Sequence, residues 1–305
     1  ACCVSPMAIG KQMQFFGARL NTAKAFLYAV NGGCDEMSGK QVVEGFAPIT
    51  GDEPLDFDTV WARYDEMLTW AVETYVEALN IIHYSHDRYA YEAMEMALHD
   101  DEIVRTLGCG IAGLSIVADS LAAIRYATVT PVRDETGLVV DYITEGDFPR
   151  YGNDDDRADE LAQLVVATVM DKIRGIKLYR DAVPTQSVLT ITSNVVYGKA
   201  TGAFPCGHAA GTPFAPGANQ ENGADTHGML ASMMSVGKLS YDDALDGISL
   251  TNTITPQALG RTGEERVANL VGILDAGMGE GLYHANINVL NRETLLDAME
   301  NPENY

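Results

Sequence analysis

With 43 Asp and Glu against 20 Lys and Arg, this chain of 305 residues has a formal net charge of −23. Such a surplus of negative charge excludes the broad basic face that nucleic acid requires, and it disfavours an anionic membrane surface. No run of 18 or more apolar residues predicts a membrane span.

Cysteine usage and the two ends of the chain bear on the protein's compartment and completeness. The cysteines are Cys2, Cys3, Cys34, Cys109 and Cys206. Residues 1–10 lack the basic start and long apolar run of a secretory signal, so we expect reduced thiols and a cytoplasmic protein. Because the sequence starts at Ala1 and stops at Tyr305, just after a predicted helix, we expect it to be a portion of a longer protein.

Apolar residues at helical spacing predict four helical segments in the first half of the chain. The first covers residues 11–30 and ends at Asn31-Gly32-Gly33. The second begins at a cap formed by Asp56 or Asp58 and runs to about His86. The others cover about 88–98 and 113–127, the last of them apolar enough to be deeply buried.

The second half alternates short strands with helices, which favours an α/β fold with parallel strands. Strands are predicted at 138–144, 188–191 and 285–290. Helices are predicted at about 154–176, 226–236, 263–275 and 292–300. Residues 198–223 are rich in Gly and Pro and predict a long ordered loop or lid.

Cys2 and Cys3 are the most reactive-looking pair in the sequence. Adjacent Cα atoms are about 3.8 Å apart, whereas disulfides prefer about 4.4–6.8 Å, so a bond between them is disfavoured. Zinc sites usually separate two cysteines by two or more residues. Neighbouring thiols can exchange a hydrogen atom, but spacing alone favours two small buried hydrophobic residues.

Arg19 is the second candidate, because it lies in the mainly apolar segment FFGARL close to the cysteines. A buried guanidinium needs an anion, and its planar fork suits a carboxylate. That carboxylate is either a ligand or an ordinary protein side chain. His83 and His86 are three apart on a helix, but no third ligand at matching spacing completes a metal site, so we expect no metal.

Six motifs together resemble the pyruvate formate-lyase (formate C-acetyltransferase) family of glycyl radical enzymes. They are ACCVSPM at 1–7, GKQMQFFGAR at 10–19, LNIIHY at 79–84, CGIAGLS at 109–115, PTQSVLTITSNVVYGK at 184–199 and LLDAMENPENY at 295–305. Other glycyl radical enzymes that act on diols or glycerol carry a single working cysteine, so the doubled cysteine favours the lyase branch.

The resemblance implies a radical mechanism with separate roles for the two thiols. Cys3 is the relay that faces the radical glycine, and Cys2 is the thiyl that adds to pyruvate and carries the acetyl group to coenzyme A, with release of formate. Arg19 matches an arginine that holds the substrate carboxylate, and Phe16 an aromatic residue packed beside it. The family's radical glycine lies in an RVSGY-type motif that these 305 residues do not contain.

The resemblance also implies an architecture and partners. Residues 1–305 form a single region, part of a ten-stranded α/β barrel with a cysteine finger loop, lacking the amino-terminal half and the glycyl radical segment. The resemblance also implies a radical-SAM activating enzyme as a partner, a homodimer, and a role in anaerobic glucose fermentation. Two alternatives stay open: a non-catalytic fragment that needs partner chains, and a relative that acts on 2-oxobutanoate.

Overall fold

The computed structural model describes residues 7–190 and 192–304, so Cys2 and Cys3 lie outside the described residues. The strands are β1 (Gln12–Asn21), β2 (Val104–Ala112), β3 (Thr128–Arg133), β4 (Val139–Glu145), β5 (Val183–Val188), β6 (Gly247–Ile248), β7 (Leu250–Ile254) and β8 (Ala285–Val289). The helices are α1 (Thr22–Val30), α2 (Phe57–Asp87), α3 (Tyr91–Glu95), α4 (Leu114–Tyr126), α5 (Asp156–Arg174), α6 (Ser193–Lys199), α7 (Met229–Gly237), α8 (Pro256–Leu259), α9 (Gly263–Gly279) and α10 (Arg292–Glu300).

The central feature is a four-stranded parallel sheet in the order β1-β2-β5-β6. An antiparallel pair, β3 and β4, and a parallel pair, β7 and β8, lie outside it. The predicted α/β class with parallel strands is therefore confirmed. The ten-stranded barrel stays a prediction, because four strands make up the central sheet within the described residues.

The predicted helix over 11–30 is wrong in its first half, where the chain forms β1. From Gln12 to Phe15, half-buried glutamines alternate with the buried side chains of Met13 and Phe15, which is the alternation of a strand. The apolar residues of this segment are also spaced three and four apart, as in a helix. Pairing with β2 is what makes the segment a strand. The prediction holds from Thr22 onward, where Asn21 caps α1 by accepting a hydrogen bond from the Lys24 amide.

Most of the other helices lie where the sequence predicts them. The side chain of Asp56 caps α2, and α4 is buried along most of its length, as expected. The strand predicted at 188–191 forms earlier, as β5, and β2 was not predicted because its glycines weaken the pattern. None of the described helices is both long and apolar enough to cross a membrane.

Helices cover only one face of the central sheet. Phe15, Leu107 and Val188 project from this face into a core shared with α1, α2, α4 and α5. The other face, which we call the open face, is defined by eleven side chains or glycines of β1, β2 and β5. They are Gln12, Gln14, Phe16, Arg19, Val104, Thr106, Gly108, Gly110, Val183, Thr185 and Ser187.

The loop predicted over 198–223 is confirmed for residues 200–223, which contain no helix or strand and continue without one to residue 228, whereas its first two residues belong to α6. It is a packed part of the core, however, because Phe204 and Phe214 are each only 1% exposed. The phenyl ring of Phe204 lies 6.1 Å from that of Phe26 on α1, centre to centre. These contacts pack residues 200–228 against the core near the carboxyl ends of the central strands.

Lys238, just after α7, ties the last third of the chain to the start of α5. Its ammonium group lies 2.7–2.8 Å from carboxylate oxygens of Asp154, Asp156 and Asp159. The Asp159 side chain is fully buried, and burial raises its pKa while the hydrogen bond from Lys238 lowers it. The positive charge of Lys238 therefore balances the negative charge of the buried Asp159 carboxylate.

We predict that Lys238→Met lowers the free energy of local opening of α5 and α7 by about 2 kcal/mol, since it leaves Asp159 buried without its cation. Hydrogen exchange of the natural protein measures this. Lys177→Met is the control, because the Lys177–Asp181 pair is 82% exposed on both sides and should matter little. Equal protection in the two variants would contradict the prediction.

Candidate functional site

The two described site residues that the resemblance selected, Phe16 and Arg19, lie together on the open face. A regular strand would place them on opposite faces, because they are three positions apart. β1 has a bulge between them: Phe16 is paired with Gly108 and Arg19 with Gly110, so three steps along β1 match two along β2. Bulges re-aim side chains in this way and are frequent beside active sites.

Two glycines of β2 make room for these side chains. A Cβ atom on Gly108 would lie 2.9 Å from a ring carbon of Phe16, and one on Gly110 would lie 2.7 Å from Cγ of Arg19. Both distances are too short for any larger residue without displacement. The stem of Arg19 therefore runs across Gly110, from β1 over β2 toward the end of β5.

The guanidinium of Arg19 is hydrogen-bonded at one end, and its other end has no partner among the described residues. Its Nε donates to the carbonyl oxygen of Leu189 at 3.0 Å, and its central carbon lies 5.1 Å from the ring centre of Phe16. Among residues 7–190 and 192–304, Nη1 and Nη2 have no acceptor, and no carboxylate forms an ion pair with Arg19. An ordinary salt bridge to a described side chain is thus ruled out, and the half-buried fork is available for an anion.

A buried carboxylate lies on the same face, further toward the amino ends of the strands. Asp246 is 2% exposed, and its Oδ1 accepts a hydrogen bond from Nε2 of Gln14 at 2.5 Å. Its Oδ2 lies 3.0 Å from the position that a Cβ atom on Gly108 would take. Asp246 and Phe16 therefore flank the same glycine, and the open face has an acidic end and a basic end.

The predicted pair of histidines lies behind the sheet. His83 is 3% exposed, its ring centre is 4.8 Å from that of Phe15, and neither ring nitrogen has a partner among the described residues. Burial lowers the pKa of His83, which keeps the ring neutral. Within that part of the chain, no group of three or more His, Cys, Asp or Glu side chains could hold a metal ion.

A cavity of about 570 Å³ opens elsewhere, between Arg150 and the segment at 200–228. Its polar groups are largely satisfied by one another: Nδ1 of His208 lies 2.7 Å from Glu221, and Nε2 lies 3.0 Å from the Thr212 hydroxyl. Burial raises the pKa of Cys206 to about 12, so this thiol stays neutral. No feature of the cavity connects it to the open face.

Sequence reasoning missed three residues that shape the site: Gly108, Gly110 and Asp246. Glycines at alternate positions of a strand signal a close approach on one face, and the sequence LGCG at 107–110 carries that signal. Asp246 gives no such signal, because its partner Gln14 lies 232 positions away.

Comparison with known proteins gives the class. The family described as Pyruvate formate lyase-like matches residues 1–198, and the family described as Glycine radical matches residues 214–305. The chain therefore belongs to the pyruvate formate lyase-like family of glycyl radical enzymes.

One curated relative and two solved structures indicate how much of such a protein is present. Formate acetyltransferase 1 of Escherichia coli (strain K12) is 56% identical over 310 residues, which is 100% of this chain but 41% of that protein. A structure on 1,2-propanediol dehydration in Roseburia inulinivorans matches with a TM-score of 0.83 and 26% identity, covering 99% of this chain and 42% of the other. A glycyl radical enzyme from Archaeoglobus fulgidus gives a TM-score of 0.82 at 23% identity, covering 99% and 41%, which shows the same fold. The chain thus spans about two fifths of these relatives.

We predict that Gly110→Ala weakens binding of a small carboxylate at Arg19 about tenfold, because the new methyl group must push the Arg19 stem off β2. Calorimetric titration of the natural protein with oxamate measures this. Gly272→Ala in α9 is the matched control, since a Cβ atom there would meet nothing within 4 Å. Equal affinities for oxamate in both variants would show that the close approach is unimportant.

Proposed function

We propose that this chain is the catalytic barrel portion of a formate C-acetyltransferase, which cleaves pyruvate and transfers its acetyl group to coenzyme A with release of formate. The observation that carries the proposal is the free guanidinium fork of Arg19 on the open face, shortly after the Cys2-Cys3 pair. It is supported by 56% identity to a formate acetyltransferase over the whole chain.

Arg19 and Phe16 divide the recognition of pyruvate between them. The free Nη1 and Nη2 groups of Arg19 suit the two oxygens of a carboxylate. Phe16 packs against the guanidinium and is 37% exposed, so its ring offers an apolar surface to the neighbouring methyl ketone. The guanidinium of Arg19 beside the apolar ring of Phe16 fits the carboxylate and the neighbouring ketone of a short 2-oxo acid.

Cys2 and Cys3 supply the chemistry. A stored glycyl radical contributes the removal of one hydrogen atom from a thiol. The thiyl on Cys2 adds to the carbonyl carbon of pyruvate, and the bond from that carbon to the carboxylate breaks. Cys2 then holds an acetyl thioester, and the departing formate radical anion takes a hydrogen atom from the Cys3 thiol to become formate. The thiyl left on Cys3 takes a hydrogen atom from the glycine, which restores the stored glycyl radical. The coenzyme A thiol accepts the acetyl group and returns the Cys2 thiol.

The open face fits radical chemistry, because its described residues are poor hydrogen-atom donors. None of the eleven residues that define it is Tyr, Trp or Cys, and the described residue Met7 borders it near Gln12. Cys109 of β2 projects into the opposite, buried side, where burial raises its pKa to about 12. The composition of this face therefore limits side reactions of a radical beside it.

The partners follow from the same proposal. A radical-SAM activating enzyme installs the glycyl radical, coenzyme A is the second substrate, and the natural protein is a homodimer in the cytoplasm. The remaining strands of the barrel come from parts of the protein beyond these 305 residues.

We predict that Cys2→Ala and Cys3→Ala each abolish pyruvate cleavage by the activated natural protein, because each removes one step of the hydrogen-atom relay. Formation of labelled formate from pyruvate measures this. Cys34→Ala is the control, since Cys34 is a free, half-buried thiol in the turn that follows α1. Activity retained in either Cys2→Ala or Cys3→Ala sinks the proposed relay.

We also predict that Arg19→Lys raises the KM for pyruvate about tenfold, because an ammonium group cannot reproduce the planar fork. Arg63→Lys serves as a control, since Arg63 forms an exposed pair with Glu66. Repeating the measurement with 2-oxobutanoate establishes which 2-oxo acid the site prefers. An unchanged KM for both acids would remove Arg19 from substrate binding.

A further inference from the structure

The bulge that aims Arg19 lacks support from its own sheet. Pairing between β1 and β2 is interrupted between Phe16 and Arg19, so Gly17 and Ala18 have no partner residue on β2. Gly17 and Ala18 are exposed, so contacts from outside the sheet are needed to fix their position in the bulge.

Tyr75 of α2 provides that support. Its hydroxyl donates to the carbonyl oxygen of Ala18 at 2.6 Å and lies 3.5 Å from the carbonyl oxygen of Gly110. One phenol thus bridges the bulge of β1 and the residue of β2 that the Arg19 stem crosses. Tyr75 is 8% exposed, and burial raises its pKa well above its ordinary value, so the proton it donates is retained.

The same helix holds the bulge sterically. A Cβ atom on Gly17 would lie 2.5 Å from Cδ2 of Leu79, one turn further along α2. Gly17 is therefore pressed against the helix, while Ala18 is tied to it by the phenol. Together these contacts hold two successive residues of the bulge against α2.

We infer that Tyr75 is a positioning residue for substrate binding: its hydrogen bond to Ala18 fixes the bulge so that Arg19 crosses Gly110 and presents its free nitrogens on the open face. This inference rests on the proposed function. Without the hydrogen bond, β1 can shift toward regular pairing, and a shift of one residue turns a side chain to the other face of a sheet. Tyr75 itself lies on the covered side and contacts no substrate.

The test compares Tyr75→Phe with Tyr64→Phe in the activated natural protein. Tyr64 is a matched control, because it lies on the same helix, is fully buried, and donates its hydroxyl to the Thr22 carbonyl oxygen at 3.2 Å. Each substitution removes one oxygen and one hydrogen bond to backbone. A loss of general stability should be similar in the two variants.

For Tyr75→Phe, we expect the KM for pyruvate to rise about tenfold while the yield of glycyl radical in the electron paramagnetic resonance spectrum is unchanged. Exchange of labelled coenzyme A into acetyl-coenzyme A should keep its rate, because this half-reaction involves no substrate carboxylate. Tyr64→Phe should leave all three measurements unchanged.

An equal KM for pyruvate in Tyr75→Phe and Tyr64→Phe overturns the inference. If Tyr75→Phe does not fold, Gly17→Ala disturbs the same bulge from its Leu79 side: a raised KM supports the inference, and an unchanged one overturns it. If the unmodified protein forms its radical but does not cleave pyruvate, the proposed function itself fails, which is a distinct result.

Discussion

The passage of the Arg19 side chain over Gly110 is the contact on which the candidate site depends. It requires a strand that can be crossed at van der Waals distance, and β2 meets this requirement with glycines at two alternate positions of one face. It also requires a bulge in β1, because regular pairing would place Arg19 and Phe16 on opposite faces. The basic group is thus positioned by backbone geometry rather than by an ion pair.

That geometry is supported by the helices behind the sheet. α2 is 31 residues long and contributes ten buried side chains, so it forms a rigid layer against β1. On the open face by contrast, the buried hydroxyl of Ser187 and the Nη1 and Nη2 groups of Arg19 have no hydrogen-bond partner among the described residues. Polar groups that lack hydrogen-bond partners and are held on a rigid support are typical of a site that binds a ligand.

The helices were largely predictable, whereas the central strands were not. α2 and α5 are long and strongly periodic, and Asp56 and Asp155 cap their starts, whereas α4 is recognisable from its apolar composition. β1 was read as helix because its apolar residues fit two periods, and β2 was missed because its glycines carry no hydrophobic signal. Phe16 and Arg19 were identified from the motif GKQMQFFGAR, whereas Tyr75 was not, since its role depends on a contact 57 positions away.

The sequence by itself determined the family, the doubled cysteine, the arginine and the helical layer, because long motifs and helical periodicity are local properties of a chain. Only the tertiary structure decided that residues 12–21 form a strand, that a bulge brings Phe16 and Arg19 to one face, and that Asp246 joins them from far along the chain. Strand pairing and the space beside a glycine are set by residues distant in sequence. No local pattern encodes them, so the direction of the Arg19 side chain is a property of the folded sheet.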